Sequence, residues 1–184
     1  VTGLPIVLTL SIETNGRTMM GITPSDLVQL QDDLCTPLAA YGTNCGLGAA
    51  EVIAGIINMK QAADLANVKP ILVAKGNCGI PEWIDGKICY SGTPELMAIY
   101  TKMAIDSGAR IIGGCCGTSP KHVAEMRKVI DSHEKGDTPD LARIESELGV
   151  ITSGAKAQMG GDLTIAGGAA GPGHKASGRS RRRR

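Results

Sequence analysis

Three cysteines carry the chemistry that this sequence can do. Cys45 follows the short apolar run that ends in Tyr41-Gly42-Thr43-Asn44, and the vicinal pair Cys115-Cys116 follows Ala109-Arg110-Ile111-Ile112-Gly113-Gly114. Three thiols at strand ends, with no fourth ligand close by in sequence, describe a zinc site with one coordination position open, the feature that separates catalytic from structural zinc. Three thiolates leave Zn²⁺ electron-rich and a mild Lewis acid, suited to binding a substrate thiol as a thiolate that stays nucleophilic. Making hydroxide from water suits neutral histidine ligands better. The competing reading is that these thiols are small buried hydrophobes, a common fate of free cysteine. Adjacent cysteines inside a glycine run are unusual packing material, which favours the metal.

The loops that carry them, Gly42-Thr43-Asn44-Cys45-Gly46 and Gly113-Gly114-Cys115-Cys116-Gly117, are rich in small residues. Glycine lets the backbone bend sharply enough for neighbouring thiols to face one metal. Cys78, in Gly76-Asn77-Cys78-Gly79, also follows a strand and reads as a bystander that could visit the open position. Cys35 within a helix and Cys89 in a connecting segment read as non-ligands. His122, His133 and His174 are scattered over a helix, its end and the C-terminal stretch, and none reads as a ligand.

A β-then-α alternation repeated four times must position these loops. Residues 5–11 form a near-continuous apolar run, typical of a strand covered on both faces. Thr23-Pro24 supplies a hydroxyl N-cap and a proline in the first helical position, and Leu27, Leu30, Leu34 and Leu38 continue at helical spacing. A short strand over 39–43 leads to a helix over 49–66 with Val52, Ile53, Ile56, Ile57 and Met59 on its apolar side. The third strand, 70–74, is followed by a long polar connection through Trp83 and Tyr90. Thr93-Pro94 starts a helix carrying Leu96, Met97, Tyr100 and Met103; residues 109–113 form the fourth strand, and Ser119-Pro120 starts a helix through Val123, Met126 and Ile130. Thr138-Pro139 opens a last short helix that ends at Leu148.

This alternation implies an α/β fold with a parallel sheet, its cysteines at the carboxyl ends of the strands, where barrel active sites form. A complete (β/α)8 barrel takes roughly 250 residues, so the four units in residues 1–150 predict half of one. Four parallel strands that do not close leave two free edges and an uncovered inner face. A chain that needs a complementary half is therefore expected, and the start at Val1 rather than Met points the same way. An open four-stranded α/β sheet is the alternative geometry.

The 184 residues make one domain, with no Phe and a single Trp, so the core must be built from Ile, Leu, Val, Ala and Met. No basic leader precedes an apolar stretch, and no apolar run approaches the roughly 20 residues that span a bilayer. The expectation is a soluble, cytoplasmic protein without a membrane partner, whose six cysteines are reduced thiols or metal ligands. The net charge of +1 hides an asymmetry: Arg179 and Arg181 to Arg184 close the chain, while residues 1–178 hold 14 basic against 18 acidic groups. Residues 151–184 turn glycine-rich without apolar periodicity and predict a flexible tail. Its arginines could hold nucleic acid by charge alone, but no interleaved aromatics support that partner. A homo-oligomer is among the assemblies the sequence allows.

Gly42-Thr43-Asn44-Cys45 and Gly113-Gly114-Cys115-Cys116-Gly117-Thr118 resemble the two zinc-ligand motifs of homocysteine S-methyltransferases. That family includes betaine-dependent and S-methylmethionine-dependent enzymes and the homocysteine domain of cobalamin-dependent methionine synthase. Asn15-Gly16-Arg17-Thr18 with Gly21 resembles a further stretch, after the fifth barrel strand, so the resemblance covers residues 1–133 and the carboxyl-terminal half of the domain. It implies a TIM barrel in which Cys45, Cys115 and Cys116 bind zinc and homocysteine sulfur takes the fourth position, attacks a donor's methyl group and becomes methionine. No catalytic residue beyond the zinc ligands is implied. Betaine or another methyl onium compound is the first expectation for the donor, and a methyl-corrinoid the second.

In the family the first four strands help grip the amino acid and shape the donor pocket. Without that N-terminal half, zinc binding without activity is one expectation, and a non-catalytic zinc-binding module is the reading of a different class. Asn44, beside a ligand, either orients substrate or steadies its turn, and Ser11 and Glu13 either meet the substrate's amino group or belong to a solvated loop. Trp83 and Tyr90 could stack on a cationic donor, although a lone tryptophan is more often packing.

Overall fold

Apolar runs become strands here because each is flanked by a polar or glycine turn and followed by a capped helix. A computed structural model describes residues 3–79 and 81–162. In chain order the elements are β1 (Val7–Leu10), a single 3₁₀ turn (Thr14–Gly16), α1 (Pro24–Asp33), β2 (Ala40–Cys45), α2 (Ala49–Leu65), β3 (Leu72–Gly76), β4 (Pro81–Ile84), β5 (Lys87–Tyr90), α3 (Pro94–Asp106), β6 (Ala109–Gly114), α4 (Pro120–Ser132), α5 (Leu141–Leu148) and α6 (Ser153–Met159). The main sheet is parallel in the order β1-β2-β3-β6, with Leu10, Thr43, Ala74 and Ile112 in line across it. The expected α/β architecture of βα units with a parallel sheet is present.

One face of this sheet holds the core. Tyr41, Leu72 and Ala74 pack there against Val52, Ile53, Ile56 and Met59 of α2 and Met97, Tyr100 and Met103 of α3. Side chains alternate across a strand, so Val7, Val73, Lys75 and Ile111 stand on the opposite face, where Val7 and Ile111 are exposed. With no phenylalanine to fill the core, Tyr100 takes the largest site. It is fully buried, and its hydroxyl accepts the Gly76 N–H at 2.9 Å, fixing α3 to the end of β3.

Several local expectations differ from the structure; α5, for one, is capped by Asp140 and not started by Thr138-Pro139. The leucine spacing predicts that α1 runs to Leu38, but it stops at Asp33, and Leu34 is already extended (φ −87°, ψ 132°). Pro37 explains the stop, because a proline in a helix collides with the carbonyl four residues earlier. The polar connection through Trp83 and Tyr90 is an antiparallel hairpin of β4 and β5. Its turn residues Asp85 and Gly86 both have positive φ (49° and 75°), the two-residue geometry that Asp-Gly favours.

A further correction concerns residues 151–162 of the expected tail. Ile151 is buried, and α6 packs on α2 and on the 3₁₀ turn. Thr152 N–H donates to Glu51 at 2.6 Å, Gln158 Nε2 donates to the Asn15 carbonyl at 3.2 Å, and Lys156 pairs with Glu145 at 2.7 Å. Gly154 lies so close to Asn15 that a Cβ there would overlap its backbone. The small residues that read as a linker are those a close helix contact needs. Residues 163–184, with His174 and the terminal arginines, lie outside the described residues. Among the described residues no helix is long and apolar enough to cross a membrane.

Candidate metal centre

β2, β3 and β6 end side by side, with Cys45, Gly76 and Gly114 at one level. Cys45 closes β2 in the left-handed region (φ 58°), and Gly46 follows at φ 67°, so the chain turns abruptly at the thiol. On β6 the Cys115 N–H donates to the Gly76 carbonyl at 2.8 Å, and Thr118 N–H closes a turn onto the Cys115 carbonyl at 3.2 Å. Gly117 permits that turn with φ 76°, and its lack of a side chain admits the Tyr90 ring, which a Cβ would overlap.

These turns bring the three sulfurs together. Cys45 Sγ lies 3.5 Å from Cys116 Sγ, Cys115 Sγ lies 4.0 Å from Cys116 Sγ, and all three fall within 4.8 Å of one another. No carboxylate or histidine joins this group among the described residues. An all-thiol donor set suits a thiophilic metal such as zinc rather than a hard cation, so Cys45, Cys115 and Cys116 can hold a metal ion.

The protons in this cluster are unevenly held. Burial, with the hydrogen bonds of the neighbouring thiols, pushes the Cys45 thiol up to about 11. Hydrogen bonds from Cys45, Tyr90 and Cys115 hold Cys116 below the ordinary thiol range. The bond to Cys116 raises Tyr90 in turn. Cys116 is thus favoured as a thiolate over Cys45, and a bound metal would displace the remaining thiol protons.

Asn77, buried just beyond β3, joins the two cysteine loops. Its Nδ2 donates to the Gly46 carbonyl at 2.9 Å, and its Oδ1 accepts the Cys116 N–H at 3.2 Å. Sequence reasoning missed this residue. The signal was an Asn inside a glycine turn at a strand end, where only the neighbouring thiol, Cys78, drew attention.

The remaining expectations sort as follows. Asn44 Nδ2 donates to Ser11 Oγ at 3.3 Å, so these two residues meet each other across β1 and β2. Glu13 opens the 3₁₀ turn, its N–H donating to the Arg17 carbonyl at 2.7 Å. Trp83 is 72% exposed on the hairpin, whereas Tyr90 reaches the sulfur cluster. Cys78 is buried apart from the cluster: its thiol donates to the Gly92 carbonyl at 3.1 Å and meets His122 Nε2 at 3.2 Å. Because His122 Nδ1 accepts the Ser119 N–H at 2.9 Å, the imidazole proton sits on Nε2 and points at Cys78. Cys35 lies beyond the end of α1 rather than within a helix, and Cys35 and Cys89 are exposed. His133 bonds to Asp106 at 2.8 Å. Residues 1–130 match the model of one protein family, described as homocysteine S-methyltransferase.

Proposed function

The chain belongs to the homocysteine S-methyltransferase family, and on that premise we propose that it takes part in methyl transfer to the thiol of homocysteine, giving methionine. The observation that carries this reading is the convergence of Cys45, Cys115 and Cys116, within 4.8 Å, at the carboxyl ends of two parallel strands. Zinc held by three thiolates supplies the Lewis acidity that keeps a substrate thiol deprotonated near neutral pH.

Everything else falls to the chain's own side chains. Asn77 holds the two cysteine loops in register. Asn44 and Ser11, bonded to each other at 3.3 Å, offer polar atoms at the ends of β1 and β2 for the amino-acid part of the substrate, with Glu13 beside them. In the transfer the homocysteine sulfur bonds to the methyl carbon as that carbon's bond to the onium centre breaks, and the leaving group keeps the electron pair. Betaine or a related methyl onium compound is the proposed donor. The free cysteines suit a reducing, cytoplasmic setting.

The sheet's free edges at β1 and β6, with Val7 and Ile111 exposed on its second face, fit half of a (β/α)8 barrel completed by an N-terminal half. On this reading the barrel unit reaches beyond residue 150 to include α6.

Incubating the zinc-loaded chain with homocysteine and methyl-labelled betaine, and following methionine by mass spectrometry, tests the proposal. Labelled methionine that disappears on Cys116→Ala supports it. Product from methylcobalamin alone would replace the onium donor with a corrinoid. Homocysteine binding without product from any donor would make this chain a zinc and thiol binder that needs another half for transfer.

A further inference from the structure

Leu72 and Ala74 of β3 face the core, so the alternating positions Val73 and Lys75 face the other way. Lys75 is the register partner of Asn44 on β2 and of Gly113 on β6. That level lies one residue below the one at which Cys45, Gly76 and Gly114 align. Two residues further along the chain, just beyond β3, Asn77 spans the cysteine loops. The Lys75 stem therefore leaves the sheet about 7 Å, two strand residues, beneath that clip.

The stem runs beside Gly113, with Lys75 Cγ 3.6 Å from where a Cβ on that glycine would stand, an ordinary contact distance. Lys75 is half-buried, and its ammonium has no hydrogen bond or ion pair among the described residues. Lys60, Lys128 and Lys156, on helices, each hold a carboxylate instead. A cation partly withdrawn from water is costly until it is paired; carboxylates and phosphates both pair with an ammonium, and of these the substrates of the proposed reaction carry the carboxylate.

We infer that Lys75 is a carboxylate-binding residue of this site, its ammonium pairing with the carboxylate of a substrate that reacts at the cysteine cluster. The inference rests on the proposed function and adds the group that selects amino-acid substrates over simple thiols or simple onium compounds. Homocysteine carries its carboxylate a short alkyl chain away from the sulfur, and a betaine-type donor also carries one. The chemistry is shared, so the test must separate the two sources.

The experiment compares the full zinc-loaded chain with Lys75→Met, which keeps the stem, and Lys75→Arg, which keeps the charge. Calorimetric titration with homocysteine and with its decarboxylated analogue, 3-aminopropane-1-thiol, is the first arm. Lys75→Met should weaken homocysteine binding on the order of 10–100-fold, the worth of a hydrogen bond to a charged group. It should leave the analogue and the zinc content unchanged, and Lys75→Arg should recover part of the loss.

The second arm titrates betaine and tetramethylammonium into the homocysteine complex. A loss confined to betaine assigns the donor's carboxylate instead of the amino acid's. Equal weakening of carboxylate-bearing and carboxylate-free ligands, no weakening of either, or loss of zinc from Lys75→Met would overturn the inference. If the wild-type zinc protein binds neither thiol, the proposed function fails and takes this inference with it.

Discussion

Cys45 Sγ and Cys116 Sγ lie 3.5 Å apart although 71 positions separate them in the chain. Cys115 and Cys116 are adjacent in sequence, yet their sulfurs stand further apart, at 4.0 Å. Mild oxidation of the metal-free protein should therefore join Cys45 to Cys116 and spare the vicinal pair, whose ring would be strained. Peptide mapping after diamide treatment reads the pairing, and zinc loaded beforehand should block it. A bridge between Cys115 and Cys116 would contradict this arrangement of the loops.

Asn77→Ala should loosen the metal centre without unfolding the chain. The substitution strands the Gly46 carbonyl and the Cys116 N–H, a cost of about 1–3 kcal/mol. Loss of a group that orients metal ligands typically lowers affinity about 10–100-fold. Competition with a chromogenic chelator measures the affinity, and circular dichroism checks the fold. Unchanged zinc affinity would show that the loops hold their positions without the clip.

Glu51 makes stability depend on pH in a defined direction. Burial raises its carboxyl above the ordinary range, while the Thr152 N–H and Lys156 pull the other way, and Oε2 has no hydrogen-bond partner among the described residues. A raised folded-state pKa means that this contribution is complete below the unfolded value, about 4.3. It is lost as pH rises through the folded value. Glu51→Gln keeps an acceptor for Thr152 without burying charge. It should melt a few degrees higher than wild type at pH 8, 1 kcal/mol being worth about 2–4 °C at this size, and the difference should vanish near pH 4. A variant less stable than wild type at pH 8 would mean that the ionised form is the favoured one.

Gly154→Ala opposes two effects of known sign. In an isolated helix alanine gains about 1 kcal/mol over glycine, but here the added Cβ would overlap the Asn15 backbone. The clash should win, lowering the melting temperature and exposing the 150–160 region to proteases. A stabilised variant would show that the contact yields easily.

The parts of this fold legible in the sequence are those that local chemistry determines. Thr23-Pro24, Thr93-Pro94 and Ser119-Pro120 mark helix starts because a hydroxyl cap and a proline act within one turn. The three cysteines could be singled out because glycines on either side announce sharp turns at strand ends. Asn77 was opaque because its two partners, Gly46 and Cys116, come from other strands. His122 was equally hidden, since its bond to Cys78 joins residues 44 positions apart. α6 escaped because glycine and alanine serve both a linker and a tight helix contact, and only Asn15 and Glu51 on the other side decide between them. Asp85-Gly86 was a readable turn, but its strands expose Trp83, Ile84 and Ile88 and so lacked the one-sided pattern of a buried hairpin.

Zinc K-edge X-ray absorption of the loaded chain, before and after addition of homocysteine, tests the central claim most directly. The account predicts three sulfur scatterers and one oxygen or nitrogen at first, four sulfurs once homocysteine is present, and loss of stoichiometric zinc in Cys115→Ala and Cys116→Ala. A sulfur count that homocysteine leaves unchanged, or full zinc retention in either variant, would contradict it.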